Sequence, residues 1–119
     1  MKLPNGLQAI IDRRKLDDYC LSPTHPDGRN KARVFKLALG LDQTNATVLL
    51  QALRSAAIRS DAKHGKVDQY GRRYTVDFEF HGPTGVAKIR SPWIIGKGED
   101  APRLTTCYVL PDGPEATSP

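Results

Sequence analysis

The chain has 119 residues, of which 39% are hydrophobic and 26% charged, and its formal net charge is +5. This composition predicts one globular domain over residues 1–110 and a disordered tail at 111–119, and no apolar run is long enough for a transmembrane helix. Cys20 and Cys107 stand far apart with no second pair, which excludes a disulfide scaffold and a structural zinc site. With no export signal in the sequence, we expect a cytoplasmic protein with reduced thiols.

The excess positive charge lies in the first half of the chain. Residues 1–60 carry ten Lys and Arg against five Asp and Glu, whereas residues 61–119 carry eight of each kind. Such an excess attracts polyanions, although many small domains carry as much for solubility. The placement of the charge favours a nucleic-acid or phosphate partner.

The hydrophobic pattern predicts an α+β domain. In chain order it indicates a short N-terminal edge strand at 7–11, a helix at 12–21 capped by Asp12, a proline-rich loop, helices at 29–39 and 46–59, and strands at 72–80, 86–95 and 103–109. The apolar spacing changes from 3.6 to 2 residues near Gly65, where the sheet begins. We expect the helices to cover one face of an antiparallel sheet of three to four strands.

Single residues mark several of these element ends. Gly40 is expected to end the first long helix, and Thr44 or Asn45 to cap the second. Pro92 has no N–H group, so we expect a bulge or a sheet edge beside it. In the last strand, alternation predicts one face that carries Arg103, Thr105 and Cys107, and an opposite face that carries Leu104, Thr106 and Tyr108.

Lys31 lies near the centre of the apolar arc when the helix at 29–39 is projected at about 100° per residue. A buried ammonium is costly without a partner. Either the side chain snorkels past the end of the core, or it points into a cleft at the helix N-terminus, where free N–H groups and the helix dipole favour anions. The second alternative makes Lys31 a phosphate ligand.

His25 precedes this helix and stands between Pro23 and Pro26, whose rings hold the backbone still. A histidine there is either a general acid or base near neutral pH, or an exposed or capping residue. His64 and His81 lie in turn-like segments, and we expect both to be solvated.

Further cations offer a surface for phosphate. Arg29, Arg33 and Lys36 share one face of the helix at 29–39. Arg90 either pairs across the strands with acidic neighbours such as Asp77, or grips phosphate oxygens.

Residues of the last strands complete the candidate groove. Arg103 is a second arginine for the phosphate, and Thr105 and Thr106 offer hydroxyls on both faces of the strand, so that one of them faces the groove. Tyr108 shares the strand face of Thr106. Trp93 belongs to the core unless a nucleic-acid base stacks on it.

The sequence contains no motif of a serine hydrolase, a zinc protease or a P-loop, and its acidic residues are too scattered for a magnesium site. We therefore expect no metal and no cofactor. The residue set suits cleavage of RNA by its own 2′-hydroxyl, which needs a base, an acid and cations around the pentavalent phosphate. The expected catalytic residues are His25, Lys31, Arg103 and Thr106, and the expected substrate-binding residues are Arg29, Arg33, Arg90, Trp93 and Tyr108.

Three stretches resemble a bacterial family catalogued as a domain of unknown function, DUF6883. They are LSPTHPDGRNKARVFKLALG, YGRRYTVDFEFHGPTGVAKIRSPWII and PRLTTCYV, and they contain the patterns H-P-x-G-x-x-K-A at 25–32 and P-R-x-x-T-x-Y at 102–108. The resemblance covers nearly all of residues 3–109. It implies a domain that occurs alone beside a small partner gene, or at the tip of filamentous-haemagglutinin-like and phage-head-associated proteins, where polymorphic toxins carry their toxic module.

The order of helices before an antiparallel sheet also resembles the RelE–barnase–EndoU–colicin group of ribonucleases, which cut RNA without metal. The chain departs from that group in having no recognisable EndoU pair of histidines. The leading hypothesis is a toxin-like endoribonuclease, or an RNA-binding effector, with RNA and a cognate antitoxin or immunity protein as partners and no membrane. The alternatives are a non-catalytic protein-binding module and a phage-structural accessory domain.

Overall fold

A computed structural model describes residues 1–111. The predicted tail at 111–119 lies outside the described residues, apart from Pro111. Short helical turns occur at Gly6–Gln8, Leu16–Cys20 and Gln43–Asn45. The longer elements form the predicted α+β fold: α1 (Arg29–Leu39), α2 (Ala46–Arg59), β1 (Ala62–Asp68), β2 (Gly71–His81), β3 (Val86–Gly96), β4 (Arg103–Leu104) and β5 (Tyr108–Val109).

Both long helices have the predicted bounds. α1 ends where Gly40 adopts a φ of 72°, a left-handed conformation that glycine takes without strain. Of the two predicted caps, Asn45 holds the N-cap position of α2, but its side chain makes no capping hydrogen bond to that helix. The side-chain cap is Asp42, which begins the preceding turn. The Asp42 carboxylate accepts the N–H of Thr44 at 2.9 Å, and the Asn45 side chain accepts the N–H of Asp42 at 3.0 Å. Because the turn Gln43–Asn45 runs directly into α2, the cap lies at the start of that turn.

The sheet is antiparallel, with the order β1-β2-β3-β4, and β5 pairs with the same edge of β3 as β4 does. β2 and β3 pair along their whole length, with Asp77 opposite Arg90. α1 packs against β3 and β5, and α2 packs against β2, so the core lies between the helices and the sheet. β1 was not predicted, because only Ala62 of this strand is fully buried and no apolar alternation reveals it.

The expected strand at 7–11 is wrong. Gly6–Gln8 forms a 3₁₀ turn, and Ile10 makes a single parallel bridge with Arg103. The chain turns at this point because Asn5 adopts a left-handed φ of 55°.

The helix predicted at 12–21 is shorter than expected. It contains the wide turn Leu16–Cys20, in which the N–H of Leu21 donates to the carbonyl of Leu16 at 2.9 Å, five residues back. Asp12 still accepts the N–H of Arg14 at 3.0 Å at the start of this segment.

The strand predicted at 103–109 is divided into β4 and β5. Three residues, 105–107, lie opposite only Ser91 and Pro92 of β3, which makes a bulge. Pro92 has no N–H group that could donate a hydrogen bond to the neighbouring residues 105–107, but its carbonyl accepts the N–H of Thr105 at 2.9 Å. The bulge expected beside Pro92 is therefore present, in the neighbouring strand.

The extra residue changes which side chains share a face. Cys107 is buried with Leu104 and Val109, whereas Arg103 is exposed. The prediction that Arg103 and Cys107 share a face is wrong, because simple alternation does not continue across a bulge.

Candidate functional site

A groove of about 500 Å³ opens beside the turn Leu16–Cys20, the loop at 21–28 and the bulge at 105–107. We call it the polar groove, because its lining is charged or bears hydroxyl groups: Asp12, Arg14, Lys15, Asp18, Tyr19, His25, Thr105 and Thr106. Two of the predicted catalytic residues, His25 and Thr106, therefore meet at one place.

Lys31 contacts the wall of the polar groove from the first turn of α1. Its Nζ donates a hydrogen bond of 2.9 Å to Oη of Tyr19 and lies 6.0 Å from the centre of the Tyr108 ring. The hydrogen bond to Tyr19 raises the pKa of Lys31 above its ordinary value, so the ammonium persists at physiological pH. The side chain thus leaves the core, as the first alternative expects, and contacts Tyr19, which lines the polar groove. Lys31 is not itself a lining residue, and its role as a phosphate ligand stays a prediction.

His25 caps the segment that begins α1. Its Nδ1 accepts the backbone N–H groups of Asp27 at 2.9 Å and of Gly28 at 3.0 Å. Because a backbone N–H can only donate, Nδ1 is the acceptor in both bonds, and Nε2 is the ring nitrogen that carries a proton. The ring packs edge-on against Tyr19, with centres 4.9 Å apart. In this geometry His25 offers a hydrogen-bond donor, and its Nδ1 is not available as a base.

Two thiols lie behind the polar groove. Cys20 and Cys107 are both fully buried, and Sγ of Cys20 is 3.6 Å from Oγ1 of Thr106. Hydrogen bonding from the Cys107 thiol, helped by Thr106 and by the charge of Lys31, lowers the pKa of Cys20 to about 6 against the effect of burial. The same pairing, together with burial, raises the pKa of Cys107 well above its ordinary value. Both cysteines are free thiols.

Arg90 is engaged in a cross-strand ion pair. Its Nε and Nη2 donate to the two carboxylate oxygens of Asp77 at 2.9 and 2.8 Å. This pairing raises the pKa of the guanidinium. Arg90 thus makes the cross-strand pair that was one of its two alternatives, and it does not line the polar groove. Its role as a phosphate ligand stays a prediction.

Two further predicted site residues lie away from the polar groove. Arg103 pairs with Glu99 at 3.6 Å and is not among the residues that line the groove. Trp93 is 1% exposed, and its Nε1 donates to Oγ of Ser91 at 3.0 Å. A buried indole has no free face for a nucleic-acid base, so stacking on Trp93 is ruled out and the core alternative is correct.

Arg29 and Arg33 line a second groove, of about 710 Å³, between α1 and the turn Gln43–Asn45. We call it the apolar groove, because its floor is formed by Leu21, Pro23, Ala32 and Leu37, with Arg29, Asn30, Arg33, Lys36, Asp42, Gln43 and Thr44 around them. The shared face predicted for Arg29, Arg33 and Lys36 is confirmed. It borders a different groove from the one that His25 lines.

The sequence pattern did not identify Tyr19 as a residue of the polar groove. Its spacing from Leu16 and Cys20 predicted a buried helix face, but the wide turn leaves Tyr19 half-buried with its hydroxyl on Lys31. The signal that pointed toward it was Lys31 itself, because an ammonium in an apolar arc requires a polar partner close by.

The other histidines do not build a second site. His64 lies in β1 and His81 ends β2, and both are exposed, as expected. Within residues 1–111, no three His, Cys, Asp or Glu side chains converge as a metal-binding group would. In the same part of the chain, no helix is both long enough and apolar enough to cross a membrane.

Comparison with known proteins gives a family and a fold. The family model described as "Domain of unknown function (DUF6883)" matches residues 2–111. A chain from the contact-dependent growth inhibition toxin–immunity protein complex of Klebsiella pneumoniae 342 is similar in structure, with a TM-score of 0.65 and 24% sequence identity over 85% of this chain and 99% of that chain. At this identity the likeness shows a shared fold. No curated protein matches the sequence.

Proposed function

The chain belongs to the DUF6883 family, and from its fold and its polar groove we propose that it is the toxic effector of a bacterial toxin–immunity pair, acting as a metal-independent endoribonuclease. The observation that carries the proposal is the hydrogen bond between Lys31 and Tyr19 at the wall of the polar groove. An ammonium and a phenol held together beside an open groove combine a fixed charge for a phosphate with a proton for a leaving group.

The shared fold supports the toxin half of the proposal. The Klebsiella complex contains a toxin and an immunity protein, so this fold serves one of these two roles there. The net charge of +5 favours the toxin role here, because a chain that binds RNA needs cations, whereas an inhibitor that covers such a chain gains from carboxylates. The partner is then an acidic immunity protein, and the place of action is the bacterial cytoplasm, where RNA is found.

In the proposed reaction the 2′-oxygen of a ribose bonds to the adjacent phosphorus, and the bond from phosphorus to the 5′-oxygen breaks. Oη of Tyr19 gives its proton to the departing 5′-oxygen, and Lys31, at 2.9 Å, stabilises the phenolate that forms. Water takes the proton of the 2′-hydroxyl and returns one to Tyr19. The products are a 2′,3′-cyclic phosphate and a 5′-hydroxyl.

His25 and Thr106 hold the phosphate in this scheme. The Nε2–H of His25 and the hydroxyl of Thr106 donate to non-bridging phosphate oxygens, which gain negative charge as the reaction proceeds. This hydrogen-bonding role replaces the acid–base role expected of His25, because its Nδ1 already accepts two backbone N–H groups.

RNA cleavage by the purified chain in EDTA tests the nuclease half. Wild type is expected to cut bacterial total RNA into fragments that end in a cyclic phosphate. Lys31→Met keeps the aliphatic stem, so its melting temperature should hold or rise while cleavage falls about 100-fold or more. Lys63→Met, which changes an exposed lysine of β1, is the matched control and should cut like wild type. Full activity of Lys31→Met, or no cleavage by wild type, would overturn the nuclease.

Expression in bacteria tests the toxin half separately. We expect growth arrest that is relieved when the product of the neighbouring gene is co-expressed. Arrest by a chain that cuts no RNA would keep the toxin and reject the nuclease. A chain that leaves growth unchanged would favour the non-catalytic binding module.

A further inference from the structure

The apolar groove takes no part in the proposed reaction, yet it is the larger of the two grooves. Its floor is apolar, and Leu37 in that floor is 72% exposed. Water solvates such a surface poorly, and a contiguous exposed apolar patch marks a site of interaction.

The charges around the apolar groove are unevenly neutralised. At one end, Nζ of Lys36 pairs with the Asp42 carboxylate at 3.0 Å. At the other end, Arg29 and Arg33 lie one helical turn apart, a spacing at which like charges repel. Within the part of the chain that the structure describes, neither guanidinium forms an ion pair or a side-chain hydrogen bond. The groove therefore presents two free guanidinium groups next to an apolar floor.

We propose that the apolar groove binds an acidic amphipathic helix presented by a partner protein. The aliphatic side chains of such a helix, spaced at i, i+3 or i+4, and i+7, would cover Pro23 and Leu37, the exposed apolar residues of the lining. Carboxylates flanking that stripe would meet Arg29 and Arg33, whose planar donor groups match carboxylate oxygens. The charge on the groove thus specifies an acidic occupant.

The composition of the lining argues for a protein and against RNA in this groove. Single-stranded RNA binds by stacking its bases on aromatic rings, and no residue that lines the apolar groove is aromatic.

The partner has a defined relation to the polar groove. Pro23 lines the apolar groove and His25 lines the polar groove, and both belong to the loop at 21–28. A helix docked at Pro23 would place its protein beside the entrance to the polar groove. In this one respect the inference rests on the proposed function: the docked partner is the immunity protein.

Binding of a synthetic peptide tests the inference. The probe is a fluorescein-labelled 18-residue helical peptide with leucines along one face and glutamates on both flanks, and its control carries lysine in place of each glutamate. By fluorescence anisotropy, wild type should bind the glutamate peptide at least about tenfold more tightly than the control peptide. Leu37→Gln and Arg33→Gln should each weaken that binding about tenfold. Equal binding of the two peptides, or unchanged binding by both variants, would overturn the docking proposal.

Parallel RNA assays separate this inference from the proposed function. Leu37→Gln, a change at an exposed residue, should cut RNA at the wild-type rate. Wild type that binds the peptide as expected but cuts no RNA would leave the docking site standing and reject the nuclease. A 12-nucleotide RNA that displaces the glutamate peptide equally well from wild type and from Lys31→Met would assign the apolar groove to RNA and reject the docking site.

Discussion

The polar groove and the apolar groove share the loop at 21–28, but they hold their cations in opposite ways. At the wall of the polar groove, Lys31 is half-buried and fixed by a hydrogen bond to Tyr19. In the apolar groove, Arg29 and Arg33 are exposed and, among residues 1–111, have no acidic partner. A fixed cation can act on one atom of a substrate, whereas free guanidinium groups attract an oppositely charged surface as a whole.

The comparison predicts that changes at the two grooves separate cleavage from partner binding. Tyr19→Phe removes a single oxygen atom, the proton donor in the proposed reaction. RNA cleavage should fall about 10²- to 10⁴-fold, while binding of the glutamate peptide stays at the wild-type value. The measurement is the cleavage rate at saturating RNA, with thermal melting to show that the chain folds.

Tyr70→Phe is the matched control for that change. Tyr70 is 63% exposed in the turn between β1 and β2, so its loss of a hydroxyl should alter neither cleavage nor peptide binding. A Tyr19→Phe chain that still cuts RNA at the rate of Tyr70→Phe would remove the phenol from the reaction.

A smaller effect is expected at His25, where capping and catalysis can be separated. His25→Asn keeps an acceptor for the N–H groups of Asp27 and Gly28 but removes Nε2–H. Its free energy of unfolding should match wild type, and cleavage should fall about tenfold, the effect of one hydrogen bond. His25→Ala loses the cap too and should be less stable by about 1 kcal/mol. Wild-type cleavage by His25→Asn would leave His25 with a capping role alone.

The elements predictable from the sequence are those with one buried face. The helices Arg29–Leu39 and Ala46–Arg59 and the hairpin of β2 and β3 carry regular apolar spacing, so their pattern alone defines them. β1 has almost no buried residue and is held in place by pairing with β2. The spacing of apolar residues gives no sign of such strand pairing. The run at 7–11 is apolar but follows a left-handed residue, Asn5, so the chain turns instead of extending.

The candidate site was predictable only in part, for a reason that lies in the backbone. Lys31 and His25 both lie close to the start of α1, so local structure alone brings them near each other. Arg103 and Thr106 were expected together, but the bulge opposite Pro92 places only Thr106 at the polar groove. Tyr19 enters the site because a wide helical turn replaces a regular one, and that change has no signature in apolar spacing.

The salt dependence of RNA binding sharpens the comparison further. Each contact between a cation and a phosphate of single-stranded RNA adds about 0.7 to the slope of log K against log salt. Lys31→Met should lower that slope by about 0.7, and Arg33→Gln should leave it unchanged. The measurement is anisotropy of a labelled 12-nucleotide RNA from low to high salt. Equal losses in the two variants would place RNA across both grooves and contradict their separation.

The smallest effect is expected from Asp42, which borders the apolar groove and caps the turn before α2. Hydrogen bonds from Thr44 and from Lys36 lower the pKa of Asp42 to about 2, below the ordinary value of 3.8 for an aspartate. Because the folded chain holds the carboxylate more strongly than the unfolded chain, the stabilisation is complete above about pH 4 and is lost as the pH falls through about 2.

Two substitutions separate the charge of Asp42 from its capping oxygen. Asp42→Asn keeps an oxygen for the N–H of Thr44 and removes the charge, whereas Asp42→Ala removes both. In urea unfolding at pH 7, the midpoints should decrease from wild type to Asp42→Asn to Asp42→Ala. The difference between wild type and Asp42→Asn should disappear near pH 2, while the difference between the two variants persists, since a neutral amide accepts at any pH. If the difference in urea midpoint between wild type and Asp42→Asn stays constant from pH 5 to pH 2, the charge at this end of the apolar groove does not stabilise the fold.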